Sequence, residues 1–100
     1  MQLVRVNGDD GWQIRSAHLP SSPIATGDRV VFMALDEREA RVVVLERATG
    51  AEVWRGEKQR MDHQRAWQLI VDGPRVYGLY QQGGAIRVDA HSIEDGSLVW

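Results

Sequence analysis

One hundred residues with 12 basic and 14 acidic side chains, a formal net charge of −2 and no cysteine make at most one domain with a modest core. The near-neutral balance offers no clustered basic face for nucleic acid, and the lack of cysteine removes disulfides, thiolate metal sites and a cysteine nucleophile. No apolar stretch approaches the ~18 residues of a spanning helix, and residues 1–10 lack the charged start and apolar run of a signal peptide.

In chain order, residues 2–6 (QLVRV) read as a strand, 7–11 (NGDDG) as a turn and 12–15 as the strand after it. The segment 16–22 (SAHLPSS) is loop, with Pro20 and Pro23 punctuating it. A short strand at 23–25, a turn at 26–28 (TGD) and a long apolar strand at 29–35 (RVVFMAL) follow. The charged connection 36–40 (DEREA) returns the chain into a strand over 41–46, where Val42, Val43, Val44 and Leu45 run without a polar break. Valine is stiff at χ1 and packs well on a pleated surface, so this run predicts a strand covered on both faces. Gly50 supplies the positive φ for the reversal, and Val53 and Trp54 begin the return strand. The polar segment 56–66 (GEKQRMDHQRA) reads as loop or a single helical turn. Strands at 67–71, 75–80, 85–92 and 98–100 then alternate with turns at 72–74, 81–84 (QQGG) and 94–97. Nothing sustains a 3.6-residue period, so the prediction is an all-β chain of ten short antiparallel strands.

Gly-x-x-x-Trp occurs three times, at Gly8/Trp12, Gly50/Trp54 and Gly96/Trp100. Sliding the chain by 46 residues lays Gly27 on Gly73, Arg29 on Arg75, Val30 on Val76, Arg41 on Arg87, Val42 on Val88, Gly50 on Gly96, Val53 on Val99 and Trp54 on Trp100. These are eight identities in 28 positions without a gap, concentrated at turn glycines and anchor aromatics. Four-stranded units at a period near 45, each closing on a tryptophan, are the pattern of a β-propeller blade.

The segments SSPIATGDRVVF, VVLERATGAEVW and DGPRVYGLY resemble repeats of the pyrroloquinoline-quinone-like (quinoprotein-like) β-propeller family, and the resemblance covers nearly the whole chain. It implies a partial blade at 1–16 and blades at 23–55 and 67–100, about two and a half in all, within a larger propeller of roughly six to eight blades. In that family the blade tryptophan docks against a small residue of its own repeat, a place Ala90 fits, and against backbone near the next repeat. The resemblance does not bring activity with it. Dehydrogenases of the family hold the quinone with a calcium-ligating acid and amide set, a catalytic Asp and often adjacent cysteines, and none of these can be placed here. No catalytic, cofactor-binding or metal residue is therefore assigned, and the expected role is a non-catalytic scaffold whose parent leans periplasmic or secreted. A fragment of a quinone-dependent dehydrogenase is the alternative, and an unrelated adhesive sandwich a third.

Within an up-and-down unit, the connection between units and the turn joining second to third strands emerge on one side. That groups His18, 36–40, 56–66 and 81–84 on a single rim, while the opposite rim carries only tight turns. The expected partner-binding residues are Asp36, Glu37, Arg38, Lys58, Arg60, His63, Gln81 and Gln82, with Arg65 beside them, and the expected partner is a protein or the remaining blades. Other groupings favour simpler readings. Residues 7–11 place oxygen ligands close together but without the spacing of a calcium loop, and Asn-Gly and Asp-Gly are ordinary turn chemistry. Asp62 and His63 with Asp36 and Glu37 suggest a metal or acid-base cluster, yet stand on polar loops. His18 and His91 have no partner at ligand spacing. Tryptophans recurring at one repeat position are core rather than a carbohydrate platform, and Trp67 is also placed in the core.

Overall fold

The computed structural model describes residues 3–8, 11–16 and 23–99, the first two segments by backbone alone. They form ten antiparallel strands and no helix: β1 (Leu3–Gly8), β2 (Gly11–Ser16), β3 (Ile24–Thr26), β4 (Arg29–Asp36), β5 (Glu39–Glu46), β6 (Glu52–Arg55), β7 (Gln59–Arg60), β8 (Trp67–Asp72), β9 (Arg75–Gln82) and β10 (Ala85–Ser92). Strands β1 and β2 make an N-terminal hairpin, β3-β4-β5-β6 a central sheet with β7 also on β5, and β8-β9-β10 a C-terminal sheet. The all-β expectation holds.

Strand β5 shows why the apolar run matters. Val42, Val43, Val44 and Leu45 are all buried, at 1, 0, 0 and 4 % exposure, so both faces of the central sheet are covered as the unbroken run predicts. One face carries Val31, Met33, Val42, Val44 and Trp54, which cluster with Val76 and Tyr80 of the C-terminal sheet, with Ile93 in the turn after β10, and with Met61 and Ala66 of the connection between the sheets. The other face carries Val30, Phe32, Ala34, Val43 and Leu45. Each valine so buried contributes about 1.5–3 kcal/mol.

The 46-residue correspondence reappears as geometry. Gly27 and Gly73 take φ of 55° and 57°, and Gly50 and Gly96 both take 75°. Val30 of the central sheet's far face corresponds to Val76, which looks into the seam between the sheets, and Val31, which looks into the seam, corresponds to Tyr77 on the outer face. The two sheets therefore stack head to tail, each presenting its front to the back of its neighbour. The outer face of the C-terminal sheet is the counterpart of the central face that the seam buries. It carries Tyr77, Leu79 and Val88 half-buried, with Ile70 39 % and Ile86 62 % exposed.

Three expectations need correction. The segment 56–66 contains no helical turn: Gln59 and Arg60 pair with Ala40 and Glu39 of β5, prolonging the line of β6 along the same strand edge. The strand expected at 98–100 is reduced to a single bridge between Leu98 and His91, and Trp100 lies outside the described residues. The connection expected over 36–40 is tighter than read, because strand pairing continues to Asp36↔Glu39 and leaves only Glu37 and Arg38 in the turn. Side chains at Trp12 and the residues Asp9, Asp10 and His18 also lie outside what is described, so the calcium-loop reading and the placing of His18 on the rim do too.

Candidate functional site

The expected rim residues come from three connections that the structure ties together. Glu37 and Arg38 turn β4 into β5, 59–66 links the two sheets, and Gln82 to Ala85 turns β9 into β10. Backbone bonds stitch them: Met61 N–H donates to the Arg38 carbonyl at 2.7 Å and Asp62 N–H to the Gln81 carbonyl at 2.9 Å. Side chains add to this, with the Gln82 amide donating to the Arg60 carbonyl and Gly83 N–H donating to Asp62 Oδ1, both at 2.8 Å. Connections of this kind are usually independent and mobile. Here they form one hydrogen-bonded edge.

Charges on that edge fall into two groups. Glu37, Arg38, Glu39, Arg60, His63 and Arg65 surround a broad hollow of about 710 Å³. Asp36 and Lys58 stand apart from it, ion-paired at 3.6 Å beside a smaller cavity. Glu37 holds a φ of 46°, the only left-handed non-glycine among the described residues, where the other repeat has Gly83. Its side chain is exposed on the rim. Of Asp36, Glu37, Asp62 and His63, only Glu37 and His63 share the hollow, while Asp36 lines the smaller cavity. Asp62 accepts from Gly83 N–H, and His63 Nδ1 accepts from Arg65 N–H at 3.2 Å, so both hold loop backbone. Among the described residues no group of three or more His, Cys, Asp or Glu is placed to hold a metal ion. Trp67 is half-buried against the core cluster and donates its indole N–H to the Gln64 carbonyl at 3.0 Å, anchoring the end of the rim loop.

A second polar place was not anticipated. Arg87, Asp89 and His91 alternate along β10, which puts all three on the face toward the seam. Asp89 is only 7 % exposed and is the one buried charged residue among those described. Arg87 Nε donates to both its oxygens, at 3.0 and 3.3 Å, which offsets the cost of burying the carboxylate. The neighbouring Tyr80 phenol is held well above its ordinary pKa, first by burial and then by the Asp89 charge. His91 lies 3.1 Å through Nδ1 from the Gly96 carbonyl, so Nδ1 carries the proton, and its ring tilts 37° against Trp54 at 5.3 Å. Trp54 in turn donates to the Ile93 carbonyl at 2.8 Å, and its indole lies so close over Gly96 that a Cβ there would sit 2.5 Å from Cδ2.

A cavity of about 240 Å³ opens beside this row, between β10 and residues 55–59. Its described lining is Arg55, Gly56, Glu57, Gln59, Arg87, Asp89, His91, Gly96 and Leu98. The row is best understood as the polar part of the seam, joining sheets through Trp54 and the 92–97 turn. The signal that would have exposed it is the Arg-x-Asp-x-His alternation within 85–92, visible once that segment is read as a strand with one covered face. No family model, curated protein or solved structure matches the chain.

Proposed function

We propose that this chain is a non-catalytic β-propeller scaffold, part of a longer propeller, that binds a protein or other macromolecule through the rim built from Glu37, Arg38, 59–66 and 81–84. The observation that carries this reading is the stitched rim: three connections from two sheets share backbone bonds and present Arg38, Arg60, Arg65 and His63 around Glu37 and Glu39. An ordered, mixed-charge surface loses little entropy on binding and suits a partner that carries both signs of charge. Glu37 stays in a conformation that costs about 1–2 kcal/mol for a non-glycine residue, a cost with no evident structural return.

The propeller part of the proposal is supported by the head-to-tail stacking and by Trp54 docking on the 93–96 turn of the following sheet. A further four-stranded unit presenting the counterparts of Val76, Gly78 and Tyr80 is the natural cover for Tyr77, Leu79, Ile86 and Val88. The test is capture of a partner from lysate by the immobilised chain and by an Arg38→Glu/Arg60→Glu/Arg65→Glu variant, with Asp72→Lys as a control away from the rim. Capture lost only in the rim variant supports the reading. Capture equal in all three overturns it.

A further inference from the structure

The two repeats differ at the place where each carries its central arginine. In the C-terminal sheet Arg87 stands opposite Tyr80 and is paired with Asp89 two residues on. In the central sheet the corresponding Arg41 stands opposite Ala34 and is followed by Val43. Both changes act together. One removes an aromatic side chain and the other removes the carboxylate that would neutralise the guanidinium.

The outcome is a cavity of about 220 Å³ whose described lining includes Ala34, Val43, Arg41, Arg55, Lys58 and Glu39. Arg55 is already held by both Glu52 oxygens, and Lys58 by Asp36, which also lines the cavity. Arg41 has no acceptor among the described residues, and its Nε is buried without one. A guanidinium left so costs roughly 1–3 kcal/mol, so an acceptor brought from outside has a gain to make. Glu39 is the one acid on this wall with no cation assigned to it, and it is exposed. With Arg55 committed to Glu52 and Lys58 to Asp36, Arg41 is the cation of the described lining left without a carboxylate, over an apolar floor of Ala34 and Val43.

We propose that this cavity binds a small carboxylate with a short apolar tail, the carboxylate taking at Arg41 the place that Asp89 takes at Arg87. The planar fork of a guanidinium matches a carboxylate edge to edge, which a single-point cation does not. The inference goes beyond the rim reading and does not rest on it, since it concerns a small molecule on the far face of the central sheet.

The experiment is a titration of the uniformly ¹⁵N-labelled chain with sodium acetate, sodium phosphate and sodium chloride at constant ionic strength, following the Arg41 Nε–H and Val43 amide resonances by NMR. Acetate is expected to give saturable shifts at both, with chloride giving none. In Arg41→Met and Arg41→Gln, read in parallel so that loss of fold in one still leaves a result, the Val43 shift should require about tenfold more acetate or vanish. An Arg55→Met variant, whose guanidinium is already committed to Glu52, should keep it. No saturable shift in the unsubstituted chain, saturation by phosphate alone, or an unchanged Val43 response in the Arg41 variants each overturns the proposal.

Discussion

Gly96 and Gly73 both hold a left-handed φ, yet their surroundings separate conformation from packing. A Cβ on Gly96 would meet the Trp54 indole at 2.5 Å, while one on Gly73 would meet nothing within 4 Å. Gly73→Ala should therefore cost only the backbone strain, about 1 kcal/mol, and Gly96→Ala about 2 kcal/mol or more, because the indole must also leave the Ile93 carbonyl. Urea midpoints of the two variants check this, and equal losses would mean that Trp54 is not held by the turn. At Glu37 the sign reverses: Glu37→Gly relieves the 46° φ and should raise stability by about 0.5–1 kcal/mol. Tyr80 adds a pH signature. Its raised phenol pKa means that the folded chain holds a proton which the unfolded chain releases above a pH of about 10. That share of stability is complete below this pH and declines as pH climbs toward the folded-state value. Tyr80→Phe should abolish the alkaline decline while changing neutral-pH stability little, since the hydroxyl's hydrogen-bond partner among the described residues is the weakly accepting Met33 sulfur at 3.9 Å. A decline that survives the substitution would assign it elsewhere.

At the scale of elements, the central sheet carries the stability because both its faces are buried, whereas the C-terminal sheet has one face in the seam and one open. Phe32→Ala should cost about 3–5 kcal/mol. Ile86→Thr, at 62 % exposure, should cost no more than about 0.5 kcal/mol. Denaturant unfolding of both variants distinguishes this from a sheet pair of equal standing. The same contrast explains how much could be read in advance. Unbroken Val42–Leu45 and the Gly50 turn are local signals, and they announced a doubly covered strand and its reversal correctly. The loop reading of 56–66 holds except at Gln59 and Arg60, which have no apolar pattern and are strand only because β5 extends past the end of β6 and offers them partners. Asp89 and Arg87 were overlooked for a related reason. A carboxylate buried beside an exposed arginine looks like surface in a sequence until the face it lies on is known.

For the whole molecule, the rim was legible as a grouping because up-and-down connectivity alone decides which connections share a side. Its partition into a hollow around Arg60 and a separate cavity beside Asp36 and Lys58 was not, since it depends on how two sheets are set against each other. The same stacking leaves Ile70, Tyr77, Leu79, Ile86 and Val88 on the face turned away from the seam, with Ile70 and Ile86 exposed. The most direct test of head-to-tail stacking with an open end is the solution mass by light scattering after gel filtration, combined with binding of a dye specific for apolar surface. The account predicts a monomer or a polydisperse population that binds the dye, with binding reduced in an Ile70→Thr/Ile86→Thr variant. A discrete oligomer of fixed mass that excludes the dye would contradict it, because the outer face would then already be satisfied by copies of the same chain.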